Sequence, residues 1–390
     1  MSKWEIKRWK SVLEIKSGRN QKQVVNPNGR YPIYGSGGLM GYAEDYICDE
    51  GTTIIGRKGS INCPIYVTQK FWNVDTAFGL SPLECLNKKF LYYFCLSYDF
   101  TKHDKGTTLP SLTKVDLLNN IFIPLPPLSE QKRIVEILDE AFEGIDRAIA
   151  NTKKNLANAR ELFDSYLNNI FDQKGTDWVE TKLENLCSIK HGFAFKSTFF
   201  TNEEDDYVLL TPGSFYEDGG YREQGEKTKY YIGEIPDGYI LEENNMLLAM
   251  TEQAVGLLGS PLIVPESDRF LHNQRLGLIQ VFDDVVWHNY FFFHQFNAKQ
   301  FRASVQETAS GVKVRHTSPK KLCAISVCFP PRISEQKEIT NKLNKLQEET
   351  QRLKAIYQHK LEALQELKQS LLNKAFTGEL TNPTVKEVAA

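Results

Sequence analysis

The sequence predicts a mixed α/β protein of the α+β kind, in which two strand-rich globular domains are separated by two long helices that form an antiparallel coiled coil. Three observations predict this architecture, and each of them is a repeat. A proline-rich corner occurs twice, a heptad stripe follows each copy, and the pattern of Trp4–Gly18 returns in Trp178–Gly192. Together they indicate a pseudo-twofold internal repeat with the order globular domain, helix, globular domain, helix.

The corner is the segment Pro124–Ile134, and its second copy is Phe329–Ile339; both contain Ser-Glu-Gln-Lys, 205 residues apart from Ser129 to Ser334. Proline fixes its own φ angle and disfavours helix at the residue before it. A serine that follows such a segment is a good N-cap. Each copy therefore predicts the end of a strand, a rigid corner and the start of a long helix, with Ser129 and Ser334 as N-caps.

Apolar residues keep a heptad spacing for about forty residues after each corner, with one stutter at matching places. Helices of roughly 60 Å are longer than a globular core, so we expect them to pair with each other. The shared stutter favours antiparallel pairing, although the sequence alone leaves the direction open. Thr350 and Lys368 are poor residues for the pairing seam. The seam positions that we predict are Ile134, Leu138, Ile145, Leu156 and Phe163 in the first helix and Ile339, Leu343, Leu353, Leu361 and Leu371 in the second.

These repeats divide the chain into five parts. The pattern that begins at Trp4 recurs 174 residues later at Trp178, whereas the corners are 205 residues apart, so the second globular domain is longer by 31 residues. Loops usually absorb such differences. The predicted parts are a first globular domain at 1–125, a first long helix at 126–172, a second globular domain at 178–330, a second long helix at 331–376 and a C-terminal tail at 377–390.

Short apolar runs between turn residues predict the strands of both domains. A helix is expected at 90–96. Trp72, Phe78 and the aromatic residues 290–293 are assigned to the core rather than to base stacking. The predicted strands are 52–55, 63–67 and 121–123 in the first domain and 207–210, 246–250 and 276–281 in the second.

The composition is that of an ordinary water-soluble globular protein: 390 residues, of which 41% are hydrophobic and 25% are charged. The net charge of −2 neither demands nor forbids a nucleic-acid partner, so contacts to DNA must come from local basic patches. The seven cysteines contain no Cys-x-x-Cys pair, which predicts free thiols in a reducing cytoplasm. No signal peptide is evident and the apolar runs are too short to span a bilayer, so no membrane association is expected.

Signals for catalysis are weak. Gly51 and Gly56 have the spacing of a phosphate loop, but the Gly-Lys-Ser/Thr that should complete it is missing. The histidines and cysteines show no metal-ligand spacing, and neither a methyltransferase nor a nuclease motif is present. We therefore predict no catalytic residue, no metal site and no cofactor on this chain.

Signals for DNA binding are stronger. Two cations between glycines, in Gly56–Ser60, can approach a phosphate closely, although a surface hairpin turn explains them equally well. A basic loop precedes each corner at matching positions, and Asn, Gln and Arg are suited to base contacts. The candidate DNA-binding residues are Ser36, Gly37, Gly38, Arg57, Lys58, Ser60, Lys105, Thr107, Thr108, Lys114, Arg222, Lys227, Lys229, Asn273, Gln274, Arg275, Lys313, Arg315 and His316.

The doubled Pro-x-x-Ser-Glu-Gln-Lys corner, preceded by a basic loop and followed by a long helix, resembles the specificity (S) subunit of type I restriction-modification enzymes. The resemblance covers essentially the whole chain, and it departs only at Arg332-Ile333, where the first copy has Pro127-Leu128. It implies that the globular domains are target recognition domains, that each reads one half of a gapped double-stranded DNA target, and that the helices are a spacer.

The resemblance also implies partners. The family works with methyltransferase (M) subunits, expected here in two copies, and with motor-nuclease (R) subunits. AdoMet for adenine methylation, and ATP and Mg²⁺ for translocation and cleavage, are expected on those partners. Two other functions remain open at this stage: a coiled-coil scaffold that binds no DNA, and a single-chain nuclease or methyltransferase.

Overall fold

A computed structural model describes residues 4–253 and 255–381, which form two compact units. Unit 1 contains the described residues as far as Lys154 together with those from Tyr357 onward, and unit 2 is Asn155–Ile356. Each long helix therefore contributes one part to each unit, whereas the sequence suggested separate helical domains. Most of the predicted C-terminal tail, residues 382–390, lies outside the described residues.

Unit 1 is built on three small sheets. The strand orders are β2-β8-β5-β6, which is antiparallel throughout, β4-β3-β7, in which β3 and β7 are parallel, and β1-β9. Its strands are β1 (Glu5–Arg8), β2 (Leu13–Ser17), β3 (Tyr31–Gly35), β4 (Gly38–Ala43), β5 (Thr52–Gly56), β6 (Ile65–Val67), β7 (Trp72–Asn73), β8 (Ala77–Pro82) and β9 (Phe122–Leu125). Its helices are α1 (Lys88–Ser97), α2 (Lys114–Asn120) and the first part of α3 (Leu128–Gln173).

Unit 2 repeats this plan with more strands, because part of its extra length enlarges the sheet β12-β14-β13-β19-β15; the sheets β11-β20-β16-β18 and β10-β22 match those of unit 1, and β17 pairs with β21. The strands are β10 (Val179–Lys182), β11 (Cys187–His191), β12 (Phe200–Thr201), β13 (Val208–Leu209), β14 (Tyr230–Tyr231), β15 (Ile240–Leu241), β16 (Met246–Ala249), β17 (Thr251–Glu252), β18 (Pro261–Ile263), β19 (Phe270–Leu271), β20 (Leu276–Val281), β21 (Arg315–His316) and β22 (Ser326–Phe329). The helices are α4 (Asn289–Asn297), α5 (Lys299–Glu307), α6 (Pro319–Cys323) and α7 (Ile333–Thr377), whose last part belongs to unit 1.

The predicted N-caps at the two corners are wrong. Helix α3 begins at Leu128 and α7 begins at Ile333, so Ser129 and Ser334 are already inside the first turn. The carbonyl of Pro127 accepts the N–H groups of both Glu130 and Gln131, at 2.9 and 3.0 Å. The backbone itself therefore starts the helix, and a serine cap is not needed.

The glutamine of each corner, for which no role was predicted, anchors the corner to a neighbouring segment. The Gln131 side chain is fully buried; its Oε1 accepts the N–H of Asn87 at 2.7 Å, and its Nε2 donates to the carbonyls of Cys85 (3.0 Å) and Pro126 (2.8 Å). All hydrogen-bonding capacity of this amide except one lone pair is used. Gln131 thus ties the corner to the segment that begins α1.

Gln336 makes three contacts of the same kinds in unit 2, except that its proline carbonyl lies six residues earlier in the chain instead of five. Its Oε1 accepts the N–H of His288 at 2.9 Å, and its Nε2 donates to the carbonyls of Val286 (3.2 Å) and Pro330 (3.0 Å). In both units the buried glutamine of Ser-Glu-Gln-Lys therefore holds the corner against a neighbouring segment. We call this set of hydrogen bonds the glutamine lock.

All the predicted seam residues of the long helices are buried or half-buried except one, which is exposed. Ile134, Leu138, Ile145 and Leu343 are buried, and Leu156, Phe163, Ile339, Leu361 and Leu371 are half-buried. Leu353 is 39% exposed, whereas Thr350, three residues earlier, is 4% exposed. A cavity of about 360 Å³ is lined by Phe163 of α3 and Thr350 of α7, and Leu353 does not line it.

Lys368, which we predicted to be a poor seam residue, contacts one acidic and one aromatic side chain of unit 1. Its Nζ lies 2.5 Å from the Asp146 carboxylate and 4.8 Å from the centre of the Phe142 ring. The aliphatic stem of lysine can cover apolar surface while the charge stays paired. A charged residue is therefore tolerated in the heptad pattern.

Each unit has a main core that includes residues from both long helices. In unit 1, Ile134 and Leu138 of α3 and Leu372 of α7 pack with Trp9 and Phe90. The start of α3 thus shares a core with the end of α7, which is the combination that antiparallel pairing produces.

The main core of unit 2 contains residues from the end of α3 and from the start of α7. Leu167 and Phe171, near the end of α3, share it with Leu343, near the start of α7, and with buried Phe291 and Phe292. The assignment of Trp72, Phe78 and the 290–293 aromatics to the core is correct except at Tyr290, which is exposed and lies in α4 with its neighbours.

Candidate nucleic-acid interface

In unit 1 the turn after β5 is hydrogen-bonded to the basic loop that precedes α2. Lys58 forms an antiparallel bridge with Ser111, and the N–H of Leu112 donates to the carbonyl of Arg57 at 2.8 Å. Gly59 adds a bond from its N–H to the Pro110 carbonyl at 3.0 Å. The structure therefore brings the Arg57–Ser60 turn together with the loop that contains Lys105, Thr107 and Thr108.

The tip of the β3–β4 hairpin joins the same cluster. The hydroxyl oxygen of Ser36 lies 3.8 Å from the position that a Cβ on Gly59 would take. Gly38 has a φ of +118° with open space around its Cα, so a backbone or a phosphate can approach it closely. Ser36, Gly37 and Gly38 thus lie beside the basic turn, whereas Lys114 is the exposed first residue of α2.

The basic loop of unit 1 is held in one conformation by two acidic side chains. Asp104 Oδ1 accepts the N–H groups of Ser111 and Gly106, both at 2.8 Å, and these bonds hold the pKa of its carboxyl below the ordinary value. Asp116 Oδ2 lies 2.6 Å from His103 Nδ1, which lowers the pKa of Asp116. Lys105, Thr107 and Thr108 are exposed on this supported loop.

The side chains of Arg57 and Lys58 differ in exposure and in the contacts that they already make. Arg57 is half-buried; it donates to the Asp75 carbonyl at 3.2 Å, and its guanidinium lies 5.9 Å from the centre of the Phe78 ring. Lys58 and Ser60 are exposed. Lys58 is therefore the more available of the two for a phosphate.

Unit 2 repeats the backbone contacts of this cluster with other side chains. Thr251 bridges to His316 as Lys58 bridges to Ser111, and the N–H of Thr317 donates to the carbonyl of Met250 at 3.0 Å. Met250 and Thr251 therefore occupy the places of Arg57 and Lys58, and the two cations of unit 1 have no charged counterpart there.

A buried acid organises the unit 2 cluster. Glu252 is 2% exposed; its Oε2 accepts three backbone N–H groups, those of residues 256, 257 and 258, at 2.8 to 3.1 Å, and its Oε1 lies 3.2 Å from a guanidinium nitrogen of Arg315. Arg315 also donates to the Gln306 carbonyl at 3.2 Å. Two of its bonds therefore support the loop, while Lys313 and His316, also on that loop, are exposed.

Three of the six remaining candidates line one cavity of about 560 Å³ in unit 2. Arg222, Lys229 and Arg275 line it. Asn273 is nearly buried and its Oδ1 accepts the N–H of Arg275 at 3.0 Å, so it shapes the turn, whereas Gln274 is exposed. Lys227 is exposed in a short 3-10 turn and does not line the cavity.

Sequence reasoning missed two kinds of residue. Nothing in the local pattern marks Glu252 as buried, because its partner Arg315 lies 63 residues away. Gln131 and Gln336 could have been found, because they recur at one position of the repeated corner, but a polar residue in a helix is usually solvated.

Two further questions for the described part of the chain are membrane crossing and metal binding. Among residues 4–253 and 255–381, no helix is long and apolar enough to cross a bilayer, and no three acidic, histidine or cysteine side chains are placed to hold a metal ion. All seven cysteines are free thiols.

Two units of related fold, each with exposed cations and amides on loops held by the scaffold, define the chain as a duplicated two-unit protein. The chain belongs to the family described as the type I restriction modification DNA specificity domain, which matches residues 1–158 and 175–363.

Two relatives of the chain are type I specificity subunits. The EcoBI specificity subunit of Escherichia coli is 27% identical over 223 residues, which is 57% of this chain and 43% of that protein. The MjaVIII specificity subunit of Methanocaldococcus jannaschii is 23% identical, covering 97% of this chain and 93% of that one. The chain thus spans less than half of the first relative and nearly all of the second.

A solved structure shares the fold. One chain from a study of complex assembly and conformational transition of the type I R-M system superposes with a TM-score of 0.76 at 18% identity, over 97% of this chain and 98% of that one. At this identity the likeness concerns the fold.

Proposed function

We propose that this chain is the DNA-recognition subunit of a type I restriction-modification complex and that each unit reads one half of a two-part, gapped target. The observation that carries the proposal is the doubled cluster: the same backbone bridge, at Lys58 in unit 1 and Thr251 in unit 2, supports different exposed side chains. One scaffold with two sets of side chains suits two different half-sites, because bases are distinguished by side-chain contacts in the grooves.

The long helices are proposed to set the distance between the half-sites. Helix α3 has 46 residues and α7 has 45. At 1.5 Å per residue each extends about 70 Å, which is about two turns of B-DNA at ~34 Å per turn. Bases between the half-sites are then not contacted, and the gap length follows from the helix length.

A matched deletion tests this proposal. Removing 152–158 from α3 and 356–362 from α7 takes one heptad from each helix without removing a residue of the two main cores. Each helix shortens by about 10 Å, so we expect the gap to shorten by about three base pairs while both half-sites stay unchanged.

The measurement is the pattern of adenine methylation on DNA from cells that carry the chain and its methyltransferase partner. Deletion from α3 alone is the control, because it breaks the match between the helices and is expected to abolish methylation. A methylated two-part site with its original gap in the doubly shortened protein contradicts the proposal.

Two methyltransferase subunits are proposed as direct partners. Each unit presents a two-stranded sheet with exposed apolar side chains beside a corner: Ile6 and Phe122 in unit 1, and Val179 with nearby Ile333 in unit 2. Duplicated exposed apolar faces fit two copies of one partner. Motor-nuclease subunits complete the complex, which acts in the cytoplasm; AdoMet, ATP and Mg²⁺ are proposed to bind these partners and not this chain.

The alternatives are less well supported. A coiled-coil scaffold that binds no DNA leaves the supported basic loops unexplained, and the family match disfavours it. A single-chain nuclease or methyltransferase is tested by incubating the purified chain with DNA, Mg²⁺ and AdoMet. Cleavage or methyl transfer by the chain alone would replace the proposed division of labour.

A further inference from the structure

Unit 2 contains a concave cavity of about 560 Å³, which groove reading does not require. Side chains that read stacked base pairs project into the groove and need no pocket. A base that has left the stack does need one. The volume lies within the roughly 300–1,000 Å³ of pockets that enclose small organic ligands.

Three cations around the cavity can pair with an anion. Arg222, Lys229 and Arg275 line it and are exposed, and none of the three forms a side-chain ion pair within the described part of the chain. Buried Glu252 also lines the cavity, but its two oxygens are already occupied by Arg315 and by three backbone N–H groups. Three cations are therefore free for a phosphate.

The apolar part of the lining favours a flat ring. Tyr216 lines the cavity and is 49% exposed. Its backbone is fixed, because its N–H donates to the Gly220 carbonyl at 3.2 Å and its carbonyl accepts the Ser260 hydroxyl at 2.6 Å. An aromatic ring on a fixed backbone is a stacking surface for a base, and stacking of this kind contributes about 1–3 kcal/mol per base.

Two exposed carboxylates line the cavity in addition to the cations and the aromatic ring. Glu217 and Asp218 follow Tyr216 and line the same cavity. A carboxylate accepts hydrogen bonds from the amino groups of bases, as acidic side chains do with cytosine N4. Aromatic ring, carboxylates and cations together match the three parts of a nucleotide: ring face, amino edge and phosphate.

We propose that this cavity binds a single nucleotide, with the base against Tyr216 and the phosphate among Arg222, Lys229 and Arg275. The nucleotide comes either from the DNA half-site, extruded from the duplex, or from solution as a free nucleotide. The first source rests on the function proposed above, and the second does not.

The first experiment uses the full chain assembled with its methyltransferase subunits. 2-Aminopurine, which brightens when it is unstacked, replaces each base of the half-site in turn. The target adenine is scored separately, because methyltransferases extrude it themselves. For an extruded nucleotide we expect a several-fold rise at one further position, lost in Tyr216→Ala and kept in Tyr216→Phe.

The control variant is Tyr290→Ala, which removes another exposed tyrosine of the same unit that lines a different cavity. It is expected to keep the signal at the further position. A signal at the target adenine in every variant shows that the complex has assembled, so a loss confined to Tyr216→Ala is not a folding failure.

The second experiment uses the full chain alone with adenosine 5′-monophosphate and measures binding by calorimetry. Saturable binding that is lost in Tyr216→Ala assigns the cavity to a free nucleotide. If no further position brightens and no monophosphate binds, the inference is overturned. If a two-part target is then still methylated normally, only the nucleotide-binding inference fails and the proposed function is retained. If no two-part target is methylated, the proposed function fails, and the calorimetric result still decides whether the cavity binds a free nucleotide.

Discussion

Unit 1 and unit 2 share one set of backbone contacts and fill it with different side chains. Lys58 bridges to Ser111 in one, and Thr251 bridges to His316 in the other. The turn that follows is closed by Gly59 in unit 1, with a φ of +79°, and begins with buried Glu252 in unit 2. The repeat therefore preserves the support of the interface and not the chemistry that it presents.

The same contrast extends into the cores. Tyr93 of α1 hydrogen-bonds to Asp139 of α3 at 2.5 Å in unit 1, and His294 of α4 pairs with Asn344 of α7 at 2.6 Å in unit 2. Asn73 donates to the carbonyl four residues later, as His272 does when its Nε2 carries the proton. Polar contacts therefore keep their places while the residues that make them change.

The corner glutamines are retained with contacts of the same kinds, and removing them is the strongest test of the shared scaffold. Gln131→Ala leaves one N–H and two carbonyls of partly or fully buried backbone without these partners, and Gln336→Ala does the same in unit 2. Each unpaired group costs about 1–3 kcal/mol, so we expect a loss of roughly 4 kcal/mol in local stability in either unit.

Hydrogen exchange read by mass spectrometry localises the effect. Gln131→Ala is expected to speed exchange in α1 and to leave α4 unchanged, and Gln336→Ala to do the reverse. Gln358→Ala, on the exposed face of α7, is the control. If α1 exchanges equally fast in Gln131→Ala and in the control, Gln131 does not stabilise this part of unit 1.

An acid titration is expected to separate the units next. Burial lowers the pKa of both His272 and His294 from 6.5 to about 4. The folded state therefore binds fewer protons than the unfolded state between these values, so the stability contributed by the neutral imidazoles is complete above pH 6.5 and falls as the pH decreases to about 4. Unit 1 has Asn73 and Tyr93 in these places, which do not gain protons in this range.

Transferring the unit 1 residue tests this expectation. His272→Asn removes one of the two titrations, so between pH 7 and pH 5 the variant should lose about 2 kcal/mol less stability than the parent, at 1.36 kcal/mol per pKa unit. Urea unfolding at the two pH values measures the difference. His359→Asn, on the exposed surface of α7, should follow the parent. Parallel losses in the parent and His272→Asn would refute the assignment.

The smallest effect is expected at the turn where the units differ in charge. Replacing Arg57 and Lys58 with alanine removes at most two phosphate contacts, so the slope of log binding constant against log salt should become shallower by up to about 1.8. Thr251→Ala, at the matching place in unit 2, should leave the slope unchanged because no charge is removed. The measurement is DNA binding by the complex across a salt series; an unaltered slope in Arg57→Ala/Lys58→Ala makes these residues bystanders.

Most of the architecture could be predicted from the sequence because it depends on spacing. The strands at 52–55, 246–250 and 276–281 and the two long helices all form where local apolar patterns place them. The corner serines and Leu353 were misjudged because their roles depend on the backbone and on the facing helix rather than on local pattern.

The interface was predictable only in part. Charged loops at matching positions pointed to Lys58, Lys105 and Lys313, which are exposed. The roles of Arg315 and Asn273 in supporting their own loops depend on contacts that local sequence does not encode, one of them with a residue 63 positions away.

The amino-acid order alone determined the duplication, the corners and the helical periods, because proline geometry and heptad spacing act between neighbours in the chain. Tertiary structure decided that Gln131 and Gln336 lock the corners, that Glu252 holds Arg315, and that Arg222, Lys229 and Arg275 surround one cavity. These outcomes depend on groups far apart in sequence, whose burial and pairing are settled only when the chain has folded.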